Sequence, residues 1–177
     1  MGVSHWHTPF FCEPLRTLDD AKRTAVSDPN PDVARSPADR CGCAGFTDHR
    51  ELLAAMRPDF AFALAPHADM PSLGHDLIRA GVGFALEKPC GTTRAQVAGL
   101  RDAAAAAGAL AAVPLAFRNS HLLRTICEAA KGEVFRHLSF RFIAGPPQRY
   151  INSGCEWMLG TGRAGGGCAI NLGRALL

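Results

Sequence analysis

Glu87-Lys88-Pro89 sets an acid and a base side by side at the end of a short apolar run, Val82 to Leu86. The run reads as a buried strand. Pro89 has no N–H to donate, so it ends the ladder. A lysine held at a strand's carboxyl end, partly out of water, has a lowered pKa and serves as an acid–base or as a fixed charge. In open parallel α/β sheets that edge is where ligands bind. A tripeptide is a weak signal by itself, and a surface ion pair at a strand end is the plain alternative.

Asp28 also falls at a strand end, after Ala21 to Val26. It lies a little over ~20 residues beyond Gly2, near where the acidic residue of a dinucleotide site holds a ribose. Asp28-Pro29-Asn30-Pro31 is equally an ordinary turn composition. His5 and His7 flank Trp6, but an i, i+2 pair without a third ligand reads as local hydrogen bonding rather than a metal site. Seven cysteines, Cys12, Cys41, Cys43, Cys90, Cys127, Cys155 and Cys168, are odd in number and scattered. That pattern fits reduced thiols in a reducing compartment. Cys41-Gly42-Cys43 has too short a gap and no second pair, so no metal is expected there.

The elements that must position these groups come from a chain of 177 residues, 47% hydrophobic and 20% charged, with net charge +3. This is the composition of a soluble globular protein with one core, or one domain and part of another. The basic residues form no block or stripe, so no nucleic-acid partner is expected. No apolar run approaches the ~20 residues that span a bilayer. No basic region followed by an apolar one opens the chain, which makes the cytoplasm the default location.

From the amino terminus, strand and helix alternate. Phe10, Phe11, Pro14, Leu15 and Leu18 have helical spacing behind Pro9. Helices are expected over Asp32 to Arg40, over a segment N-capped by Asp48 with Glu51 in the capping-box position, over Pro71 to Ala80, and over Thr93 to Ala107. Gly81 and Gly108 close the last two. A short segment lies near Ala44 to Phe46, and strands are expected over Asp59 to Ala65, at Val82 to Leu86, and over Ala109 to Phe117, where Pro114 implies an edge. About five strand–helix units over residues 1–118 predict a parallel, doubly wound sheet. Arg118 falls at the carboxyl end of its last strand. Beyond it, His121 to Ala130 reads as a helix. Glu133 to Ile143 alternates and predicts a long antiparallel strand with one buried side. Arg174 to Leu177 reads as the first turn of a further helix.

The motifs in this order resemble the Gfo/Idh/MocA family of NAD(P)-dependent sugar and inositol oxidoreductases. Gly2-Val3-Ser4-His5-Trp6-His7 resembles a degenerate form of its glycine-rich turn, and Ser27-Asp28-Pro29 its second strand end. Ala65-Pro66 resembles its Thr-Pro, followed here by His67. Glu87-Lys88-Pro89 matches its most characteristic signature. Gly132-Glu133-Val134 resembles the start of its second domain. Gly165-Gly166-Gly167 through Gly173 resembles the glycine run before its catalytic Asp-x-Gly-x-His.

The resemblance implies a Rossmann-like domain at 1–118 and an incomplete α+β domain with an open antiparallel sheet at 119–177, in a chain that looks truncated at both ends. It implies NAD or NADP as cofactor, with Asp28 favouring NAD, and a small sugar or polyol as substrate. The full-length family implies a homo-oligomer. Lys88 and Asn171 become the catalytic candidates. Gly2, Ser4, His5, Trp6, His7, Asp28, Ala65, Pro66, His67, Glu87, Lys88 and Arg118 become the cofactor-binding ones.

The chain departs from the pattern at telling places. Ser4 and His7 stand for the second and third glycines. Asn171 stands for the aspartate, and Ala175 for the catalytic histidine, which removes the usual proton acceptor. The first strand is reduced to Met1-Gly2-Val3. Two readings follow: an oxidoreductase fragment, or a non-catalytic dinucleotide-binding or regulatory remnant of the family.

Overall fold

Hydrogen-bonding neighbours, more than any single strand, organise the first two thirds of the chain. The structure, a computed structural model, describes residues 1–137, 139, 141, 143, 145–167, 170 and 171. Helices and strands alternate as α1 (Thr8–Leu15), β1 (Ala25–Ser27), α2 (Pro31–Cys41), β2 (Ala44–Phe46), α3 (His49–Met56), β3 (Phe60–Ala63), α4 (Met70–Arg79), β4 (Gly83–Leu86), α5 (Arg94–Ala106) and β5 (Ala111–Ala112). Beyond β5 come α6 (His121–Ala129), α7 (Gln148–Asn152) and α8 (Thr161–Ala164), with 3-10 turns at Ala116–Asn119 and Glu156–Leu159. No helix among the described residues is long and apolar enough to cross a membrane.

Every strand pair among the described residues is parallel: β1 with β2, β3 with β4, and β4 with β5. These make two small sheets, and residues 1–3 lie between them. The Met1 amine donates to the Phe62 carbonyl at 2.7 Å. The Leu64 N–H donates to the Met1 carbonyl at 2.9 Å, while the Gly2 and Val3 N–H groups both donate to the Ser27 carbonyl. Met1 to Val3 thus bridge β1 and β3, although they are too short to count as a strand. The order across the molecule is β2, β1, residues 1–3, β3, β4, β5. This is the order of a doubly wound dinucleotide-binding sheet, with its switch point at residues 1–3. Burial pushes the Met1 amine down to about 6, against the opposing pull of Cys12 and Asp28.

The core lies between the β3–β4 surface and helices α4 and α5. Met70, Leu73, Leu77, Phe84, Leu86 and Leu100 are buried together there. Gly74 lets α4 approach α5, since a Cβ on it would sit 2.7 Å from Leu100 Cδ1. Local signals set the helix boundaries. Asp48 caps α3 by accepting from the Arg50 N–H. The reciprocal capping box forms at the head of α5, between Thr93 and Gln96.

Three expected strands differ. The one expected over Ala21 to Val26 is confined to Ala25–Ser27. Ala109 to Phe117 contracts to the two residues of β5, an edge strand, because Pro114 cannot extend the ladder. The antiparallel strand over Glu133 to Ile143 lies partly outside the described residues, and its described members, 133–137, 139, 141 and 143, form no strand. A strand needs a neighbour to take its N–H and C=O groups, and the described residues beyond 118 supply none. Arg174 to Leu177 lie outside the described residues.

Gly2 has φ +70, and a Cβ there would stand 2.9 Å from the Leu64 carbonyl carbon and oxygen. Gly108 has φ +60 with nothing within 4 Å of its Cβ position. Gly2→Ala is therefore expected to lower unfolding free energy by about 3 kcal/mol, against about 1 kcal/mol for Gly108→Ala. Urea titrations of both variants check the difference, and equal losses would contradict the close approach at Gly2.

Candidate active site

The carboxyl ends of β1, β3 and β4 deliver Asp28, the turn 64–67, and Glu87-Lys88 to one edge of the sheet. The turn from Gly2 to His7 crosses that edge and opens α1. Asp28, only 3% exposed, ties the two together. Its Oδ2 accepts from the Ser4 N–H at 2.7 Å and its Oδ1 from the Asn30 N–H at 3.1 Å. A carboxylate holding two backbone donors is a rigid fixture of the turn.

His7 stands at the third glycine's position, and its side chain crosses to β4. Its Nδ1–H meets Glu87 Oε1 at 3.0 Å. Glu87 is buried, and its N–H donates to the Ala63 carbonyl. His5 is buried as well, and its Nδ1 accepts from the His7 N–H at 3.1 Å, which leaves the ring proton on Nε2. Burial pushes His5 down to about 3, and the nearby His7, His67 and Lys88 push the same way.

The distal segment folds back over this edge. Lys88 Nζ donates to both the backbone carbonyl and Oδ1 of Asn171, each at 2.9 Å. Asn171 Nδ2 in turn donates to the Tyr150 hydroxyl at 3.1 Å. Arg149 Nη2 also donates to that oxygen, at 2.6 Å, and its guanidinium lies 5.1 Å from the Trp6 ring centroid. The Cys155 thiol donates to the Ser4 carbonyl at 3.4 Å. His67 Nδ1–H donates to the Ala164 carbonyl at 2.9 Å, and Ala68 N–H to that of Arg163. Gly165, at φ +81, comes so close to Thr92 that a Cβ would lie 2.8 Å from the threonine's own. The glycine run is therefore where the distal segment passes against the loop after Pro89. Burial pushes the Lys88 ammonium below its ordinary pKa; Glu87 opposes this and Arg149 adds to it.

The structure brings together Gly2, Ser4, His5, Trp6, His7, Asp28, Ala65, Pro66, His67, Glu87, Lys88 and Asn171. Arg118 sits apart, exposed in the 3-10 turn after β5, without a hydrogen bond to any of them among the described residues. Ala175 lies outside the described residues. Sequence reasoning missed Thr92, Arg149, Tyr150, Cys155 and Trp157. One signal was available: Tyr150 is the chain's only tyrosine, directly beside an arginine. A cleft of about 760 Å³ opens at the other end of the sheet among Arg50, Arg57, Asp59, Asp76 and Arg79. There Asp76 gathers His49, Arg50 and Arg79 into a structural ion-pair cluster between α3 and α4.

Three polar atoms beside the turn are buried without a hydrogen-bond partner among the described residues: His5 Nε2, Trp6 Nε1 and Thr8 Oγ1. Two are N–H donors and the third is a hydroxyl, so an acceptor-rich ligand such as a pyrophosphate or a carboxamide fits what they lack. A parallel sheet in this order, with a glycine turn at its switch point, defines a Rossmann-type dinucleotide-binding protein.

The chain belongs to the Gfo/Idh/MocA oxidoreductase family, whose model, an oxidoreductase family with an NAD-binding Rossmann fold, matches residues 2–114. No protein of curated function matches the chain. Among solved structures, it is similar to GenD2 from gentamicin A biosynthesis in complex with NAD, at 22% identity and TM-score 0.80, over 96% of this chain and 48% of that one. It is also similar to the WlbA dehydrogenase from Bordetella pertussis in complex with NADH and UDP-GlcNAcA, at 22% identity and TM-score 0.61, over 64% and 33%. A third is a point mutant of KijD10, a 3-ketoreductase from Actinomadura kijaniata in complex with TDP-benzene and NADP, at 21% and 0.62, over 67% and 38%. The chain thus spans a third to a half of the length of these proteins.

His5 generates a pH prediction. Its folded pKa of about 3 lies below the ordinary value of 6.5, so the unfolded chain binds the extra proton between those limits. Stability from the neutral ring is complete above about pH 6.5 and falls by about 1.4 kcal/mol per pH unit below it. Urea midpoints between pH 4 and 7 should show this loss, and His5→Gln should flatten it. An unchanged slope in the variant would show that His5 is not the titrating group.

Proposed function

We propose that this chain is the dinucleotide-binding part of an oxidoreductase that transfers a hydride between NAD(P) and a CH–OH group of a sugar- or polyol-type substrate. Residues 1–118 hold the dinucleotide, and 119–177 begin a second domain that covers the substrate and, in the full-length protein, joins subunits. The family match ending at residue 114 supports that division. The carrying observation is Lys88, held at the carboxyl end of β4 beside the switch point by both oxygens of Asn171.

The dinucleotide, when bound, supplies or accepts the hydride at its nicotinamide. The turn from Gly2 to His7 would hold the pyrophosphate, with the buried Trp6 and Thr8 donors and the head of α1 facing it. Asp28 would accept from the adenosine ribose and favour NAD over NADP. Ala65, Pro66 and His67 would wall the nicotinamide end. Glu87, bonded to His7, would keep the turn and β4 in register. Arg118 would meet the cofactor only if the segment after β5 moves inward. Lys88, partly desolvated, would fix the substrate oxygen as a cation. The place of action is the cytoplasm, in keeping with seven scattered cysteines.

The second reading, a binding or regulatory remnant, draws on Asn171. It is neutral where the family carries a carboxylate, and it faces Lys88 with carbonyls alone.

Fluorescence titration with NADH and NADPH separates these readings. Saturable NADH binding is expected, weakened about tenfold or more by Asp28→Ala, with the NADH preference over NADPH reduced. Lys88→Ala is expected to abolish turnover while leaving nucleotide affinity within about tenfold, because its contribution lies in the transition state. Absence of NADH binding by a folded sample would refute the dinucleotide site. Binding without turnover would favour the remnant.

A further inference from the structure

Tyr150 is the one phenol in the chain, and it stands among the groups that hold Lys88. It is 6% exposed, and Trp6, Cys155, Met158 and Trp157 pack around it. Its oxygen accepts from Asn171 Nδ2 at 3.1 Å and from Arg149 Nη2 at 2.6 Å. The Arg149 guanidinium also lies 4.7 Å from its ring centroid. Both lone pairs of the phenol are therefore used. What it retains is its own O–H, for which the described residues offer no acceptor. Asn171 joins this phenol to the Lys88 ammonium through one amide, its Oδ1 on lysine and its Nδ2 on tyrosine. A substrate oxygen held by Lys88 is then a neighbour of an unclaimed proton.

We infer that Tyr150 is the proton-exchange residue of this site, a role that rests on the oxidoreductase reading above. In the reductive direction the substrate carbonyl carbon gains a hydride from NADH and forms a C–H bond. The carbonyl π electrons move onto oxygen, the Tyr150 O–H bond breaks, and its proton passes to that oxygen, giving the alcohol. The phenolate left behind keeps its two donors, Arg149 and Asn171, and recovers a proton from water. In the oxidative direction each transfer runs backwards. Arg149 is a positioning residue here: it acts on the phenol and has no assigned contact with substrate. Asn171 suits this arrangement better than an aspartate would, because its amide donates to the phenol oxygen while its carbonyl accepts from lysine. An ionised carboxylate could only accept.

The test uses the full chain with NAD, oxidising myo-inositol and UDP-GlcNAcA as probes, beside NADH titration and thermal unfolding. Tyr150→Phe keeps the ring and removes the hydroxyl. The expected result is a fall in kcat of about 100-fold or more. KM and NADH affinity should stay within about threefold, and the solvent isotope effect on kcat should be lost. Resonance Raman of the tyrosine doublet gives a readout independent of turnover, with a single tyrosine to interpret. The free chain should show a phenol oxygen that accepts strongly, and Asn171→Ala should weaken that signature. A folded Tyr150→Phe chain with kcat within about fivefold of the parent overturns the assignment and leaves the dinucleotide site standing. So does a Raman signature with no accepted bond, or a parent chain that binds NADH and turns over neither probe. A parent chain that binds no NADH removes the reading on which the assignment rests, and the assignment with it.

Discussion

Backbone hydrogen bonds made by residues 1–3 hold the β1–β2 and β3–β4–β5 sheets as one surface. Met1 takes one bond and gives one on the β3 side, while Gly2 and Val3 both donate to Ser27 on the β1 side. Every group of the candidate site depends on that seam. Asp28 leaves β1, the turn at 64–67 leaves β3, and Glu87-Lys88 leaves β4. The bridge brings the end of β1 to the edge that β3 and β4, paired directly, already share. The constraint is local and steric as well as polar. Gly2 must reverse the chain where a Cβ would strike the Leu64 carbonyl, so the turn that opens α1 is folded directly against the end of β3. Asp28 then locks it from the other side through the Ser4 N–H. The turn is thus clamped between two strand ends before any ligand arrives, and order present before binding is a cost that binding does not bear.

The second condition is the return of the distal segment. Cys155, Ala164 and Asn171 come back across the sheet edge and meet the turn at Ser4, the β3 end at His67 and the β4 end at Lys88. These contacts are polar and few, set around the small apolar cluster of Tyr150, Cys155 and Met158 with both tryptophans. Burial explains the electrostatics that result. His5 is kept neutral beneath the tryptophan side of the cluster, and Lys88 is drawn below its ordinary pKa. An ammonium that faces two neutral carbonyl oxygens gains less from them than from a carboxylate, so desolvation prevails. Asn171 therefore brings no negative charge to Lys88, and Glu87 beside the lysine is already engaged by His7.

Much of the sheet was legible because its signals are local. Apolar runs such as Phe60 to Leu64 and Val82 to Leu86, stopped by Pro66 and Pro89 and separated by a helix with a glycine end, require no long-range information. Lys88, Glu87 and Asp28 were legible for the same reason: strand ends are readable, and parallel strands put them on one edge. What escaped was whatever depends on tertiary pairing. The alternation of Val134, Arg136 and Leu138 has the period of a strand, but period alone supplies no partner for the backbone. His7 is an obstruction in a glycine's place until its imidazole is seen to reach Glu87. Tyr150 and Arg149 lie about 60 residues from Lys88 along the chain, beyond the reach of any pattern of spacing. Arg118, read as part of the edge, sits beyond a strand that Pro114 cuts short.

Asn171 decides how these pieces can work together. In the family pattern an aspartate orients a histidine, a pairing in which one negative charge holds one base. Asn171 brings no charge to Lys88, and a neutral group that offered nothing else would leave the half-buried ammonium poorly compensated. The structure instead has Tyr150 occupying the far side of the Asn171 amide, with Arg149 closing the chain of donors. An amide accepts from lysine at one end and donates to a phenol at the other without adding charge. The substitution and the tyrosine therefore make sense jointly: together they tie Lys88, Asn171 and Tyr150 into one network, and the phenol proton is left without an acceptor among the described residues. Donors left over in a buried polar network point to where a ligand belongs.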